Sequence, residues 1–323
     1  MSFKFLSIAL LFARAVTSSP VTERDLGKRA LEPVLKTNFP DPAVIYDVGT
    51  AGGAFLAFAT EGNGHKVQVA QSSNGWGGPW NLLNRDLLPN PGAWSTGNAV
   101  WAPDVRKIGS KYVLYYAAQT KADVTKHCVG SATADNVLGP YTAQSEPIDC
   151  SLVAGGAIDI SGFTDTDGKR YVVYKIDGNG LCGNPNKGPQ ATPLMLQEMA
   201  GDGITKIGEP TKILDKGPGD GPLIEAPNLI KVNGIYIVFF SSNCFNSGLY
   251  DISYATATSI KGPYTKAAPA LLLPGNSWGL VNPGGAQATD DGKGLVFHAD
   301  CLTNSRCMHY RDIKIEGRIV TFV

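Results

Sequence analysis

Glu225 stands in "PLIEAPNLIKVNGIYIVFF", just ahead of a run so apolar that it must lie in a sheet interior. An unpaired charge there costs several kcal/mol, or its pKa shifts until the group is neutral. Asp41 in "FPDPAVI" and Asp159 in "AIDISGF" hold similar places ahead of other short apolar runs. Two carboxylates in one confined site cannot both ionise freely, so one is pushed toward neutrality and can donate a proton while another stays a base. Glycoside hydrolysis asks for that pairing: an acid to protonate the leaving oxygen and a base to activate water. Each residue also has a plainer reading. Asp before Pro is common turn chemistry, and Asp159 could cap a local turn. Glu is a poor turn residue and disfavoured in strands, which singles out Glu225.

Asp104 in "VWAPDV" is a fourth candidate, as a substrate contact or as a structural carboxylate holding a turn. Trp101 beside it offers an indole face that could stack on a sugar ring, with core packing as the equal alternative. Trp94 and Trp278 carry the same ambiguity. His298 in "GLVFHAD" lies on an apolar strand, where it could hold a water or an ion or be hydrogen-bonded core. No G-x-S-x-G is present, and "GPGDGP" lacks the lysine of a phosphate-binding loop.

The elements that must carry these residues repeat. "DPAVIYDVGTAGGAFLAFAT", "APDVRKIGSKYVLYYAAQ", "IDISGFTDTDGKRYVVYK", "EAPNLIKVNGIYIVFFSS" and "NPGGAQATDDGKGLVFHAD" share a polar start, a short strand, a turn with Gly and an aromatic-rich strand. They recur at roughly 55 to 65 residues, somewhat longer than common propeller-blade periods. A third strand and a polar turn follow in the later part of the units, and Gly139-Pro140-Tyr141 returns as Gly262-Pro263-Tyr264. These runs read as antiparallel meanders. The expected fold is all-β, a five-bladed β-propeller, with the first strand of each blade lining a central channel where the carboxylates converge. A β-sandwich would need about seven strands and leaves five like units unexplained.

Composition bounds the partners. The 28 basic and 28 acidic residues balance, which gives no pull toward nucleic acid or anionic lipid. Residues 1–19 read as a signal peptide, with Lys4, a short apolar run and small residues at Ala15 to Ser19. The apolar run is too short to span a bilayer. Residues 20–29 end on the dibasic Lys28-Arg29 and read as a pro-segment, leaving 30–323 as the propeller domain. Secretion suits the six cysteines, an even count. Cys301 and Cys307 are close enough to close a small loop, and Cys128 with Cys150 and Cys182 with Cys244 are plausible further pairs, with 15 connectivities open to six cysteines.

The five phrases "FPDPAVI", "VWAPDV", "AIDISGF", "IEAPNLI" and "LVFHAD", in this order from Asp41 to Asp300, resemble glycoside hydrolase family 43. The resemblance implies a five-bladed propeller that hydrolyses arabinose- or xylose-containing plant polysaccharides by single displacement, with inversion. It implies Asp41 as general base, Asp159 as the carboxylate that tunes and orients the acid, and Glu225 as general acid. It implies no cofactor for the chemistry, with His298 beside a possible calcium or sodium ion in the channel. Ile160 and Ala226 depart from many relatives, which carry Pro and Gly there, and this bears on subgroup and substrate. Inversion implies carboxyl groups roughly 6.5 to 9.5 Å apart. The expected partner is a carbohydrate, hemicellulose or pectin side chains, met by a secreted monomer with no nucleic-acid or membrane partner. Arabinofuranosyl linkages lead, then β-1,4-xylosides and β-1,3-galactan; a fructan-cleaving relative would lack the "WAPDV" phrase. A non-catalytic sugar-binding propeller is the reading from another class. The loop from Asp177 to Gln190 would shape the pocket.

Overall fold

The computed structural model describes residues 30–323 apart from 51, 179, 181 and 183–189, so the expected signal peptide, the pro-segment and most of the 177–190 loop lie outside the described residues. Blade 1 is β1 (Ala43–Asp47), β2 (Ala54–Ala59), β3 (Gln68–Ser72) and β4 (Trp80–Leu82). Blade 2 is β5 (Trp101–Ile108), β6 (Lys111–Thr120), β7 (Asp123–Ala134) and β8 (Thr142–Ala143). Blade 3 is β9 (Ala157–Thr164), β10 (Arg170–Ile176), β11 (Leu194–Met199) and β12 (Lys206–Leu214). Blade 4 is β13 (Ile224–Val232), β14 (Ile235–Ser242), β15 (Ser253–Ala257) and β16 (Thr265–Lys266). Blade 5 is β17 (Gly284–Ala288), β18 (Gly294–Leu302), β19 (Ser305–Glu316) and β20 (Ile319–Phe322). Each blade is a four-stranded antiparallel meander in chain order, as the repeat requires. Among the described residues no helix is long and apolar enough to cross a membrane.

Alternation along the strands explains why these sheets stand side by side. In β6, Tyr112, Leu114 and Tyr116 pack toward blade 1, while Val113, Tyr115 and Ala117 pack toward blade 3. Both faces are apolar, so each sheet must be covered twice. The core is accordingly divided into five apolar clusters, one between each pair of neighbouring blades. A fully buried Phe58 or Phe239 contributes about 2–3 kcal/mol each by leaving water. The segment before β1 closes the ring: Val34 and Phe39 donate backbone N–H bonds to Met308 and Arg306 on blade 5.

The inner strands share a second regularity. Every blade has one extra residue in its first strand relative to its second, a bulge with that residue at positive φ. The residues are Asp41, Ala102, Asp159, Ala226 and Gly285, with φ of 54°, 44°, 58°, 53° and 59°. Four of the five register shifts fall at Trp101/Asp104, Val173/Lys175, Glu225/Asn228 and Gly284/Gln287. In blade 1, Thr60 donates to the Pro40 carbonyl while Ala43 pairs with Phe58, which repeats the same offset.

Two residues beyond each bulge lie Ala43, Asp104, Ser161, Asn228 and Gln287, and the last four form a polar belt around the channel. Asp104 Oδ2 accepts the Gly162 N–H at 2.7 Å, joining blades 2 and 3. Ser161 donates to the Pro227 carbonyl at 2.9 Å, and Asn228 Oδ1 accepts the Ala288 N–H at 3.0 Å. Gln287 accepts the Val44 N–H and donates to Asp104 Oδ1 at 2.8 Å, spanning the gap left by Ala43. Arg106 completes the set, 2.9 Å from Asp104 and 3.0 Å from Asp290. Asp104 therefore lies in the belt. It is 2 % exposed with both oxygens engaged, so the expectation of a substrate contact at this residue is replaced by a structural one.

Replacing Asp104 by Ala would strip partners from Arg106, Gln287 and the Gly162 N–H at once. The expected loss of stability is about 3 kcal/mol, read as a lower urea midpoint at unchanged m-value. A loss below about 0.5 kcal/mol, the level of an ordinary surface substitution, would show that the belt does not hold the blades together.

Candidate active site

Above the belt the channel opens into a cavity of about 190 Å³. Asp41, Asp159 and Glu225, from blades 1, 3 and 4, all line it, as do Trp101, Thr60, Tyr250, Phe245 and Arg306. The three carboxylates do not hold equivalent places. Asp41 and Asp159 are bulge residues, whereas Glu225 precedes its bulge residue and is equivalent to Trp101 of blade 2 and Ile158 of blade 3. The one-residue offset puts two kinds of side chain on one pocket: those at the bulge and those just before it.

The bulges also explain how the site is held. A positive φ turns the bulge residue's N–H away from its own ladder, and at four of the five bulges the preceding blade supplies a side-chain acceptor. Ala102 donates to Thr60 Oγ1 at 2.8 Å, Ala226 to Asp159 Oδ2 at 2.9 Å, Gly285 to Ser241 Oγ at 3.0 Å and Asp41 to His298 Nδ1 at 3.1 Å. Thr60, Ser241 and His298 are equivalent residues, each at the second-strand position facing the bulge. Gly285 must remain glycine, because a Cβ there would come within 2.7 Å of the His298 ring.

Asp41 is engaged at both oxygens. Arg306 Nη1 lies 3.0 Å from Oδ1, and Thr60 donates to Oδ2 at 2.5 Å. Burial works against its charge, but the Arg306 guanidinium and these hydrogen bonds outweigh that and hold the carboxyl below the ordinary range. Arg306 lies over the Phe245 ring, 5.0 Å from its centroid, at the end of a small loop closed by the Cys301–Cys307 disulfide. Asp159 is the opposite case. Burial and the neighbouring Glu225 charge push it up to about 8, so Asp159 and Glu225 together keep one proton at neutral pH. Lys175, 1 % exposed, lies 2.9 Å from Glu225 Oε2 and 3.0 Å from Asp177 Oδ1.

Trp101 stacks on His127 at 3.8 Å and turns its remaining surface to the cavity. Trp94 stacks on Tyr116 at 5.7 Å, and Trp278 packs against Phe322, so both belong to the core. His298 is fully buried, stacked with Tyr250, and pushed down to about 3 by burial and Arg306, so its neutral ring can accept the Asp41 N–H. Among the described residues no group of three or more His, Cys, Asp or Glu side chains is arranged to hold a metal ion. His298 offers a cation one buried nitrogen, Nε2, with no companion protein ligands among the described residues. The Cys128–Cys150 disulfide forms as expected. Cys182 and Cys244 do not: they are free thiols, with Cys244 Sγ donating to the Cys182 carbonyl at 3.1 Å.

Residues 30–317 match the model of glycosyl hydrolases family 43. The chain belongs to that family. Enzymes of the family are inverting glycosidases whose chemistry needs no cofactor. A β-D-galactofuranosidase of Aspergillus niger is 29% identical over 68% of this chain, which spans 57% of that relative's length. An extracellular endo-α-(1→5)-L-arabinanase of Bacillus subtilis is 25% identical over 80% of this chain and 79% of its own. The crystal structure of a thermostable family-43 glycoside hydrolase superposes with a TM-score of 0.76 at 24% identity, covering 91% of this chain and 95% of that one.

Thr60, Lys175, Tyr250, Phe245 and Arg306 were not singled out by sequence reasoning. Lys175 had a signal, a charged residue closing the apolar strand "YVVYK", the same anomaly that marks Glu225. Arg306 had one in its six-residue cysteine spacing. The Arg306→Gln variant removes the charge that keeps Asp41 ionised, so the carboxyl should bind its proton more tightly. The acid-side limb of kcat/KM is expected to move to higher pH; an unmoved limb at reduced kcat would mean that Arg306 serves the substrate and not Asp41.

Proposed function

We propose that the protein is a secreted, inverting glycoside hydrolase of plant cell-wall polysaccharides that cleaves α-L-arabinofuranosyl linkages. The observation that carries this reading is the convergence on one pocket of carboxyl groups in opposite surroundings. Asp41 is held ionised by Arg306 and Thr60, while the Asp159/Glu225 pair retains a proton. Asp41 takes a proton from a water below the sugar ring as the water oxygen attacks the anomeric carbon. Glu225 gives the pair's proton to the glycosidic oxygen as its bond to that carbon breaks, and the anomeric centre inverts. Asp159 faces Glu225 as the like charge that keeps the proton in the pair. Trp101 offers its free face to the sugar. The preference for a five-membered ring is supported by relatives named for galactofuranoside and arabinan cleavage. Secretion is supported by the disulfides and by the extracellular arabinanase relatives.

Linear arabinan, arabinoxylan, β-1,4-xylan and β-1,3-galactan form the decisive panel, with product stereochemistry followed by NMR. Inverted arabinose products are expected; retention would overturn the mechanism and release from xylan alone would overturn the substrate. The Glu225→Gln variant should lower kcat on the cleaved glycan by about a thousandfold with the fold intact. Near-normal turnover would remove Glu225 from the acid role, and sugar binding without hydrolysis by the wild type would favour a binding propeller. N-terminal sequencing of the exported protein should begin near Ala30.

A further inference from the structure

In four blades the second-strand position facing the bulge holds Thr60, Lys175, Ser241 and His298; in blade 2 it is Ala117. Thr60, Ser241 and His298 each accept the next blade's bulge N–H. A lysine ammonium has no lone pair and cannot do this. In blade 3 the task falls to Asp159, which accepts the Ala226 N–H with Oδ2, and Lys175 reaches Glu225 Oε2 instead. One exchange of residue type thus frees a buried cation from the bulge network and ties Asp159 to the backbone beside Glu225.

From this exchange we infer that Lys175 is the positioning residue of the proton donor: it anchors Glu225 through Oε2, leaves the other carboxyl oxygen for the glycosidic oxygen, and with Asp177 sets the pH at which the donor is exhausted. The inference rests on the assignment of Glu225 as the acid. Glu225 has a side chain only 12 % exposed, so the choice of oxygen is not averaged by solvent. The groups around it and its lysine partner are Asp159 on β9, Lys175 at the end of β10 with Asp177 against the lysine, and Tyr250 and Cys182. Asp41 acts on Asp159 across the pocket, and its own charge is matched by Arg306. Among these, Lys175 is the cation in direct contact with the donor. An ammonium alone would drive the proton off the pair at too low a pH. Asp177, 3.0 Å from the same nitrogen, offsets that pull. Burial opposes the charge on Lys175, yet Glu225, Asp177 and Asp159 outweigh burial and keep it protonated.

The sign of each variant follows. Lys175→Met removes a positive charge beside the pair, which then holds its proton more tightly. The alkaline limb of kcat/KM moves up by about one pH unit or more. Asp177→Asn removes the offsetting negative charge and moves the same limb down. Lys175→Arg keeps the charge and leaves the limb in place. Two substrates separate positioning from scaffolding: turnover of linear arabinan, whose leaving group is a sugar alkoxide, falls in Lys175→Met. Hydrolysis of 4-nitrophenyl α-L-arabinofuranoside, whose leaving group needs no proton, falls much less. A carboxyl ¹³C NMR titration of Asp159 in the free protein reads the same displacements without substrate, so inactivity of the wild type on every glycan would refute the proposed activity and leave this test standing. Opposite displacements in the Met and Asn variants support the inference. Displacements in the same direction, an unmoved limb and titration, or equal losses on both substrates overturn it. If Lys175→Met does not fold, the direction in Asp177→Asn decides.

Discussion

Every inner strand of this propeller makes the same sacrifice: one backbone N–H is turned out of its ladder at the channel mouth and must be satisfied by something other than its own sheet. A buried N–H without an acceptor costs about 1–3 kcal/mol, so the neighbouring blade has to provide one. Four of these bonds are visible, and their acceptors are Thr60, Asp159, Ser241 and His298. Two of the four donors belong to or adjoin a pocket carboxylate: Asp41 itself, and Ala226 beside Glu225. The bonds that hold the blades in register therefore also aim the functional groups. Strain at positive φ in non-glycine residues is tolerated because both neighbours fix the backbone there.

The electrostatics grow from the same scaffold. Charge on Asp41 is stabilised from blade 5, by Arg306 at the end of a disulfide-closed loop, and from blade 1's own Thr60. Charge on the opposite side is shared among Asp159, Glu225, Asp177 and Lys175, all largely buried and drawn from blades 3 and 4. The two halves have opposite tasks, keeping a proton off and keeping one on. They can coexist because they belong to different blades, with Arg306 matched to one side and Lys175 to the other. Farther down the channel, charge serves only the architecture: Asp104 with the Gly162 N–H and Gln287, Asp47 with Tyr112 and Lys107, and Asp165 with Tyr236 and Lys231 link different blades. The last two sets repeat because "RKIGSKY" of blade 2 and "IKVNGIY" of blade 4 are the same phrase.

The sequence by itself determined the number of blades, their order and the chemistry available at the channel. Each blade is a local meander, so alternation, Gly turns and the recurrence of one outline were enough to read it, and carboxylates ahead of apolar strands betrayed their cost. Register across blades was decided by tertiary structure alone. Asp104 and Asp159 look equivalent in their phrases, yet the bulge places Asp104 two residues past Ala102, in the belt, and Asp159 on the pocket. Glu225 reaches the pocket from a different step of the repeat, one residue before Ala226. Arg306, Thr60 and Lys175 acquire their roles only through contacts 265, 19 and 50 residues away, respectively. Local patterning sets which residues a strand can present; the extra residue in each bulge, paired with a neighbour far along the chain, sets where they point.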